Sequence, residues 1–200
     1  MVHVTMPLRP IRGVLAGAAL SALLAGTLAA QEPRAGDALW FGLGLGPGVA
    51  RVQCDICRAD RGTAVTGEVR LGGRLSRGVL IGADAILWAG GSQSGVRESM
   101  WGLGAVGYFF PRPSGSWYWK TGFGLLSWHS VDGRDELSAG APGLVLGTGW
   151  EFRVARRYTL APYATLFIAP VGGDIKFNGS TIQKNAGLLL GHFGVSFTRH

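Results

Sequence analysis

The sequence predicts an all-β fold, an eight-stranded antiparallel up-and-down barrel. Eight segments alternate apolar residues with small, polar or charged ones, and a period of two places these two sets on opposite faces of a strand. The connections between the segments are alternately long and short. A barrel with tight turns at one rim and longer loops at the other accounts for this order.

The N-terminal end of the chain is typical of an export signal. Arg9 and Arg12 precede the apolar stretch 13–25, and Leu28-Ala29-Ala30 provides small residues at a cleavage site before Gln31. The alternative, a membrane anchor, needs roughly 20 apolar residues and a basic flank after them. We therefore expect the segment to be cleaved.

The predicted organisation is a signal peptide over residues 1–30 and one barrel domain over residues 31–200. Loss of two arginines with the signal lowers the formal net charge from +7 to +5, that is, 7 minus 2. The remaining charge forms no basic run or stripe, so the composition argues against nucleic-acid binding.

The first three segments establish the alternation. In the first, large apolar residues alternate with the glycines of 42–48, which predicts a close approach of other groups on the glycine face. In the second and third segments the polar face is charged. The tight connection Ser76-Arg77-Gly78 joins them, and a hairpin centred on Arg77 pairs Arg70 with Asp84.

The remaining five segments repeat the pattern. Tight connections at 111–116 and 155–157 join the fourth segment to the fifth and the sixth to the seventh. The seventh contains Pro162, which cannot donate a hydrogen bond to a ladder, so we expect a local bulge there. The apolar-face positions of the eight segments are, in order, Leu39, Phe41, Leu43, Leu45, Val49; Val69, Leu71, Leu75; Val79, Ile81, Ala83, Ala85, Leu87; Trp101, Leu103, Ala105, Phe109; Trp117, Trp119, Thr121, Phe123, Leu125; Leu144, Leu146, Thr148, Trp150, Phe152; Tyr158, Leu160, Pro162, Ala164, Leu166, Ile168; and Leu189, Phe193, Val195, Phe197.

Four longer connections lie at the other rim. They run from Gln53 to Thr63, Gly90 to Ser99, Ser130 to Ala141 and Gly172 to Asn185. Their Gly, Ser, Asp, Asn and Arg content predicts solvent-exposed loops.

The apolar face is predicted to meet lipid and the polar face to fill the interior, which makes the fold a transmembrane β-barrel. Eight strands enclose a space only wide enough for side chains, and the many glycines of the polar face make room for its larger residues. The charged residues of that face nearly balance, as an interior ion-pair network requires. Aromatic residues of the outer face gather near the short connections, as at a membrane interface.

These features define two groups of candidate site residues. The predicted network inside the barrel consists of Glu68, Arg70, Arg74, Asp84, Lys120, Glu151 and Arg153. The predicted aromatic girdle consists of Phe109, Trp117, Trp119, Trp150, Phe152, Tyr158 and Phe197. The alternative is a soluble, secreted, lipocalin-like binder, in which the polarity of the two faces is reversed.

The chain resembles the small eight-stranded outer-membrane barrel proteins of the OmpA and OmpX types. The resemblance extends from Leu39 to the C-terminus and rests on the export signal, the alternating strands, the charged interior and the final segment Gly191-His-Phe-Gly-Val-Ser-Phe197. It implies an outer-membrane location in a Gram-negative-type envelope, periplasmic termini, and insertion by the barrel-assembly machinery through that last strand. The family usually ends on an aromatic residue, whereas Thr198-Arg199-His200 follows here.

The two cysteines, Cys54 and Cys57, lie in the first long connection. In an exported protein they are most simply expected to form a disulfide that staples the loop. A redox motif requires a helix start that is missing here. A metal site needs two further ligands, which His129 or Asp132 of a neighbouring connection could supply.

Ser127 and His129 share the outward face near the long-connection rim. A few outer-membrane barrels modify lipid with a His and a Ser on that face, but here the order of the two residues is reversed. The sequence places no carboxylate on the same face to orient the histidine, and Asp132 and Glu136 follow in the predicted loop. We therefore expect no enzymatic activity. His192 points inward and is expected to be hydrogen-bonded, the alternative being a proton switch.

The predicted function is structural or interactive: a monomeric barrel surrounded by outer-membrane lipid, with its lumen plugged by the charged and glycine-rich inner face. The longer loops are expected to meet any surface partner. No cofactor or metal is expected. A narrow pore or small-molecule transporter is the alternative within the membrane class.

Overall fold

The computed structural model describes residues 39–54, 60–90, 95–112 and 116–200. The predicted signal peptide and Cys57 lie outside these residues. Within them, no helix is long and apolar enough to cross a bilayer. The strands of the described residues are β1 Leu39–Gln53, β2 Asp60–Ser76, β3 Val79–Gly90, β4 Arg97–Phe109, β5 Trp117–Asp132, β6 Asp135–Trp150, β7 Phe152–Ala155, β8 Tyr158–Phe177 and β9 Ser180–Arg199.

The strands form a closed antiparallel ring. Each strand from β1 to β6 pairs with its neighbour in sequence, β6 also pairs with β8, and β9 pairs with both β8 and β1. The short strand β7 continues the line of β6 and pairs with β8. Counting β6 and β7 as one, the ring has eight members, which confirms the predicted eight-stranded up-and-down barrel.

The ring is strongly staggered. A path through directly paired residues that leaves β1 at Val49 returns to β1 at Leu39, ten residues nearer the N-terminus (49 minus 39). The members of this path are Val49, Gly191, Leu166, Leu146, Thr121, Gly107, Ile81, Gly73 and Leu39. Strands in such barrels tilt by roughly 35–45° from the barrel axis, and eight of them enclose a space just wide enough to be filled by side chains.

The polarity of the barrel is inverted relative to a soluble protein. Large apolar side chains of the outer face are exposed, for example Leu45 at 67 % and Phe123 at 70 %. Charged side chains face inward instead, and Glu68 is only 1 % exposed. This confirms the predicted transmembrane type of barrel, in which the outer face meets lipid.

The interior has a polar and an apolar part. The charged residues lie in the half nearer the short turns. The half nearer the long connections contains buried apolar side chains, here called the upper apolar layer. Its members are at most 2 % exposed: Val52, Trp88, Met100, Leu126, Trp128, Leu188 and Leu190. The charged and glycine-rich part of the inner face was predicted from the sequence, whereas this layer was not.

Two of the predicted long loops are wrong. β5 and β6 continue through the predicted loop 130–141 and meet at a two-residue turn, Gly133-Arg134. β8 and β9 continue through 172–185 and meet at Asn178-Gly179. Gly133 has φ 60°, and Asn178 and Gly179 have φ 47° and 85°, the conformations that favour tight hairpin turns. The polar composition of these two segments arises because the strands extend beyond the membrane, where water solvates their outer face.

Pro162 is accommodated differently from the predicted bulge. The pairing of β8 with β9 runs in register across it, with Pro162 opposite Val195. The irregularity lies in the other neighbour, where Glu151 interrupts the stretch between β6 and β7. Extending the pairs of Tyr163 with Gly149 and of Leu160 with Phe152 puts Pro162 beside this interruption. The partner strand therefore ends at the position opposite the proline, which has no N–H to offer.

We expect Gly44→Val to destabilise the folded barrel by about 1–3 kcal/mol, because any Cβ at this position overlaps the ring of Tyr163. Gly67 offers a matched control on the adjacent strand, since nothing lies within 4 Å of a Cβ added there. Urea unfolding in detergent micelles, followed by gel mobility without heating, measures the difference. Equal midpoints for Gly44→Val and Gly67→Val would contradict the close fit.

Candidate functional site

Four charged side chains meet inside the barrel: Glu68 and Arg70 on β2, Asp84 on β3 and Lys120 on β5. Each alternates with lipid-facing residues along its strand, so the period of two turns it inward. All four are at most 4 % exposed. An unpaired charge at this depth costs several kcal/mol, so the stability of the arrangement depends on its partners.

Lys120 links the two carboxylates. Its Nζ donates to Glu68 Oε1 at 2.6 Å and to Asp84 Oδ2 at 2.7 Å. Both are short charge-assisted hydrogen bonds. Because β2 and β5 are separated in the ring by β3 and β4, the bond to Glu68 crosses the lumen. Lys120 thus connects three strands through their inner faces.

Arg70 completes the pairing of Glu68. Its Nε and Nη2 donate to the two carboxylate oxygens at 3.1 and 3.3 Å. Its Nη1 donates to the hydroxyl groups of Tyr118 and Ser196, each at 3.2 Å. The guanidinium carbon also lies 3.9 Å from the centre of the Tyr163 ring, a cation–π contact. These contacts extend the cluster to β9 and β8.

Neutral groups satisfy the remaining carboxylate oxygens. The Tyr108 hydroxyl donates to Asp84 Oδ1 at 2.6 Å, and Thr165 Oγ1 donates to Glu68 Oε2 at 3.3 Å. His192 Nδ1 lies 3.5 Å from the same Glu68 oxygen. The two carboxylates of Glu68 and Asp84 thus balance the cations Arg70 and Lys120. Through its contacts the cluster links the inner faces of strands from β2 to β9.

The predicted pairing of Arg70 with Asp84 is confirmed at the level of the backbone, where the two residues lie directly opposite each other. Their ion-pair partners are exchanged, however. Arg70 bonds to Glu68, two residues away on its own strand, and Asp84 bonds to Lys120. Strand register thus brings the charges to one level, and side-chain packing across the lumen selects the partners.

The other three residues of the predicted network lie apart from this cluster. Arg74 and Arg153 are exposed, and Glu151 is half-buried. Among the described residues, none of the three has an ion pair within 4 Å. Arg74 lies near the end of β2, Glu151 in the break after β6, and Arg153 on β7, so all three stand at the short-turn rim, where water solvates charge.

The inner tyrosines were not predicted to contact the charged cluster. Tyr118 and Tyr163 lie opposite inward glycines, and a Cβ at Gly149 overlaps the Tyr118 ring just as one at Gly44 overlaps Tyr163. The sequence signal for this fit was that the alternation puts both bulky tyrosines and glycines on the inner face. His192 is buried and lies within hydrogen-bond distance of the Tyr163 hydroxyl, 3.1 Å from Nδ1.

The predicted girdle residues are all exposed on the outer face toward the short-turn end. They include two ring contacts, Trp117 with Trp119 at 4.8 Å between centroids and Tyr158 stacked on Phe197 at 5.2 Å. The indole N–H of Trp117 donates to Thr148 Oγ1 at 2.8 Å. The seven residues of this group are Phe109, Trp117, Trp119, Trp150, Phe152, Tyr158 and Phe197.

Cys54 is half-buried and directly follows β1, while Cys57 lies outside the described residues. The pairing of Cys54 with Cys57 therefore stays a prediction. Among the described side chains, no group of three or more His, Cys, Asp or Glu residues is placed to hold a metal ion.

A second polar group lies on the outer face. Ser127 Oγ is 3.2 Å from His129 Nε2, and His129 Nδ1 is 3.3 Å from Glu136 Oε1. Glu136 was predicted to lie in a loop, but it belongs to β6, and its neighbour across the ladder is Val131. Gly133, as the first residue of a two-residue turn, is a hairpin signal that could have located it.

We expect Lys120→Met to destabilise the barrel by about 3–5 kcal/mol, because it leaves Glu68 and Asp84 buried without their shared cation. Arg74→Met is the matched control, since that cation is exposed. Adding Asp84→Asn to Lys120→Met should recover part of the loss in urea unfolding. Strictly additive effects of the two substitutions would contradict the coupling.

Comparisons with known proteins give similarity in structure alone. No known family model and no curated protein matches the sequence. Neisserial surface protein A is 12 % identical with a TM-score of 0.57, and the match covers 80 % of this chain and 96 % of that one. The attachment invasion locus protein Ail of Yersinia pestis is 11 % identical (TM-score 0.48, covering 81 % and 99 %), and OprG of Pseudomonas aeruginosa is 10 % identical (TM-score 0.46, covering 82 % and 97 %). With the closed, inside-out ring, the likeness to Neisserial surface protein A shows that this chain has the fold of the small eight-stranded outer-membrane β-barrels.

Proposed function

We propose that this chain is an exported, monomeric outer-membrane barrel with a closed lumen and a structural or surface-interaction role. Export by the predicted signal peptide and folding by the barrel-assembly machinery belong to this proposal. So does a disulfide between Cys54 and Cys57 that fixes the first long connection at the cell surface.

The outer face supports placement in a membrane. Its exposed apolar side chains form a continuous belt around the ring, and an exposed belt of this kind is costly in water. At the short-turn end the belt is bordered by the aromatic girdle, as at a membrane–water interface. Closure of the ring pairs the strand edges, which a hydrocarbon environment demands.

The observation that carries the closed lumen is that buried side chains fill the interior at two successive levels. The charged cluster around Lys120 bridges the lumen nearer the short turns. The upper apolar layer lies beyond it, with Trp88, Met100 and Leu126 at 0 % exposure. A passing ion or polar solute would have to break the ion pairs and also cross the dry layer.

The extended hairpins support a surface role. β8 and β9 have 20 residues each, or about 65 Å of strand at 3.3 Å per residue, and roughly 50 Å along the axis after tilting. The apolar band of such barrels is about 25 Å tall. The β5–β6 and β8–β9 hairpins are joined, since Asn178 accepts from the Glu136 N–H at 2.9 Å and its own N–H donates to the Glu136 carbonyl. They form a stiff platform above the membrane for a partner.

A narrow pore is the second candidate, because Glu68, Asp84, Arg70 and Lys120 could line an ion path if the upper apolar layer opened. In planar bilayers we expect the purified, folded protein to give no stable, salt-dependent conductance steps. Trp88→Ala combined with Trp128→Ala removes the two largest side chains of the upper apolar layer. This double variant is the positive control, in which conductance steps are expected. Stable steps from the unmodified protein would favour the pore.

The membrane location has a separate test. We expect the protein to sediment with outer membranes and to run faster on gels before heating than after, because a folded barrel stays compact in detergent. Recovery in the aqueous fraction would contradict the proposal and favour the secreted, lipocalin-like binder.

A further inference from the structure

We propose that Ser127, His129 and Glu136 form a catalytic triad that hydrolyses ester-linked acyl chains of phosphate-bearing lipids in the outer leaflet. This activity goes beyond the structural role and rests on the outer-membrane placement proposed above. It also departs from the sequence-based expectation of no enzymatic activity, which assumed that no carboxylate shares the face of His129.

The three residues have the mutual geometry of a nucleophile, a general base and an orienting acid. One imidazole nitrogen of His129 is 3.2 Å from Ser127 Oγ and the other is 3.3 Å from Glu136 Oε1. With Nδ1–H donating to Glu136, Nε2 is free to accept the serine proton. Ser127 Oγ also lies 3.3 Å from the carbonyl oxygen of Ala139, which it donates to while His129 is not engaged.

The strand geometry makes this arrangement rigid. Ser127 and His129 are two residues apart on β5 and therefore share a face. Glu136 lies on the adjacent strand β6, one diagonal step from His129, whose direct partner is Ser138. Catalytic groups on paired strands are held more precisely than groups on loops.

The triad lies at the depth where lipid esters lie. On β5 the outward positions change from apolar to polar after Leu125, and Ser127 is the next outward position, about 5 Å farther along the barrel axis. Trp101 pairs directly with Ser127 and is 40 % exposed, as suits an aromatic residue at a membrane interface. An acyl chain lying against Leu125 would bring its ester bond beside the serine.

Access and charge also fit an anionic lipid. Gly140 is the direct partner of Ser127, and a Cβ there would lie 3.8 Å from Ser127 Oγ, so its absence keeps the approach open. The exposed cations Arg97 and Lys176 lie on the flanking strands, opposite Val131 and Ser138 respectively. Both are within two ladder positions of His129, where they can attract a phosphate group.

The reaction proceeds in two balanced steps. Ser127 Oγ attacks the acyl carbonyl carbon while His129 Nε2 takes the hydroxyl proton, and the ester C–O bond breaks as His129 returns that proton to the departing alcohol. Water then attacks the acyl-serine, giving its proton to His129. The fatty acid leaves as His129 reprotonates Ser127, and Glu136 steadies the positively charged imidazole throughout.

The test uses the full folded barrel in two kinds of vesicle, one containing phosphatidylglycerol and one containing lipopolysaccharide, with released fatty acid measured by mass spectrometry. A long-chain alkyl fluorophosphonate provides a covalent label. We expect release from at least one vesicle type and a label on the peptide that carries Ser127. Ser127→Ala should abolish the label and lower release at least about 1,000-fold.

Glu136 is a positioning residue and needs its own readout. Glu136→Gln should lower kcat at least about 100-fold with little change in KM, and Glu136→Asp should restore part of the loss. Ser138→Ala is the matched control, because it removes an outward hydroxyl opposite His129 without touching the triad. Heat-modifiable gel mobility shows that each variant is folded.

Three results would overturn the proposal in a folded barrel: no fatty acid from either vesicle type, release that Ser127→Ala leaves unchanged, or equal losses in Ser138→Ala and Ser127→Ala. Failure of the outer-membrane placement would appear separately, as protein in the aqueous fraction.

Discussion

The width of an eight-membered ring is the constraint on which the rest of the structure depends. With a stagger of ten residues, the eight members enclose a space only about as wide as their inward side chains need. Each large inward residue therefore needs a small one facing it, as Tyr163 faces Gly44 and Tyr118 faces Gly149. The same narrowness makes pairing of the inner charges unavoidable, because Lys120 can reach both carboxylates across the lumen.

The charged cluster is better understood as a determinant of which face turns inward than as a source of net stability. Buried ion pairs often contribute little relative to apolar residues of the same volume, although breaking one is costly. In lipid, an apolar inner face would leave a strand with no preference between its two faces. A shift of one residue exchanges the faces. Such a shift would put Glu68 and Arg70 into hydrocarbon, so the cluster disfavours a shifted register.

The period of two was sufficient to predict the fold and the facing of nearly every residue, because each step depends only on strand geometry. The register of β2 with β3 also followed, since the turn at Arg77 sets it. The ion-pair partners did not follow, because they depend on how Arg70 and Lys120 pack across the lumen. Strand length was not predicted correctly either. Above the membrane both faces of a strand meet water or a partner hairpin, so the sequence of a strand there is as polar as that of a loop. Gly133 and the pair Asn178-Gly179 were the local turn signals that the polar composition concealed.

The error in strand length mattered most for the outer face. If 130–141 is a loop, Ser127 and His129 are two polar residues without an acid, and the outer face indicates only a structural role. Once β6 begins at Asp135, the ladder itself carries Glu136 to the histidine. The location is also selective. Below Leu125 a polar group on this face would lie in hydrocarbon, and beyond the turn at Gly133 it would be far from any acyl ester. Between Leu125 and this turn lies the part of the outer surface where a polar nucleophile is not in hydrocarbon and a lipid ester is within reach. Ser127, His129 and Glu136 lie in this part.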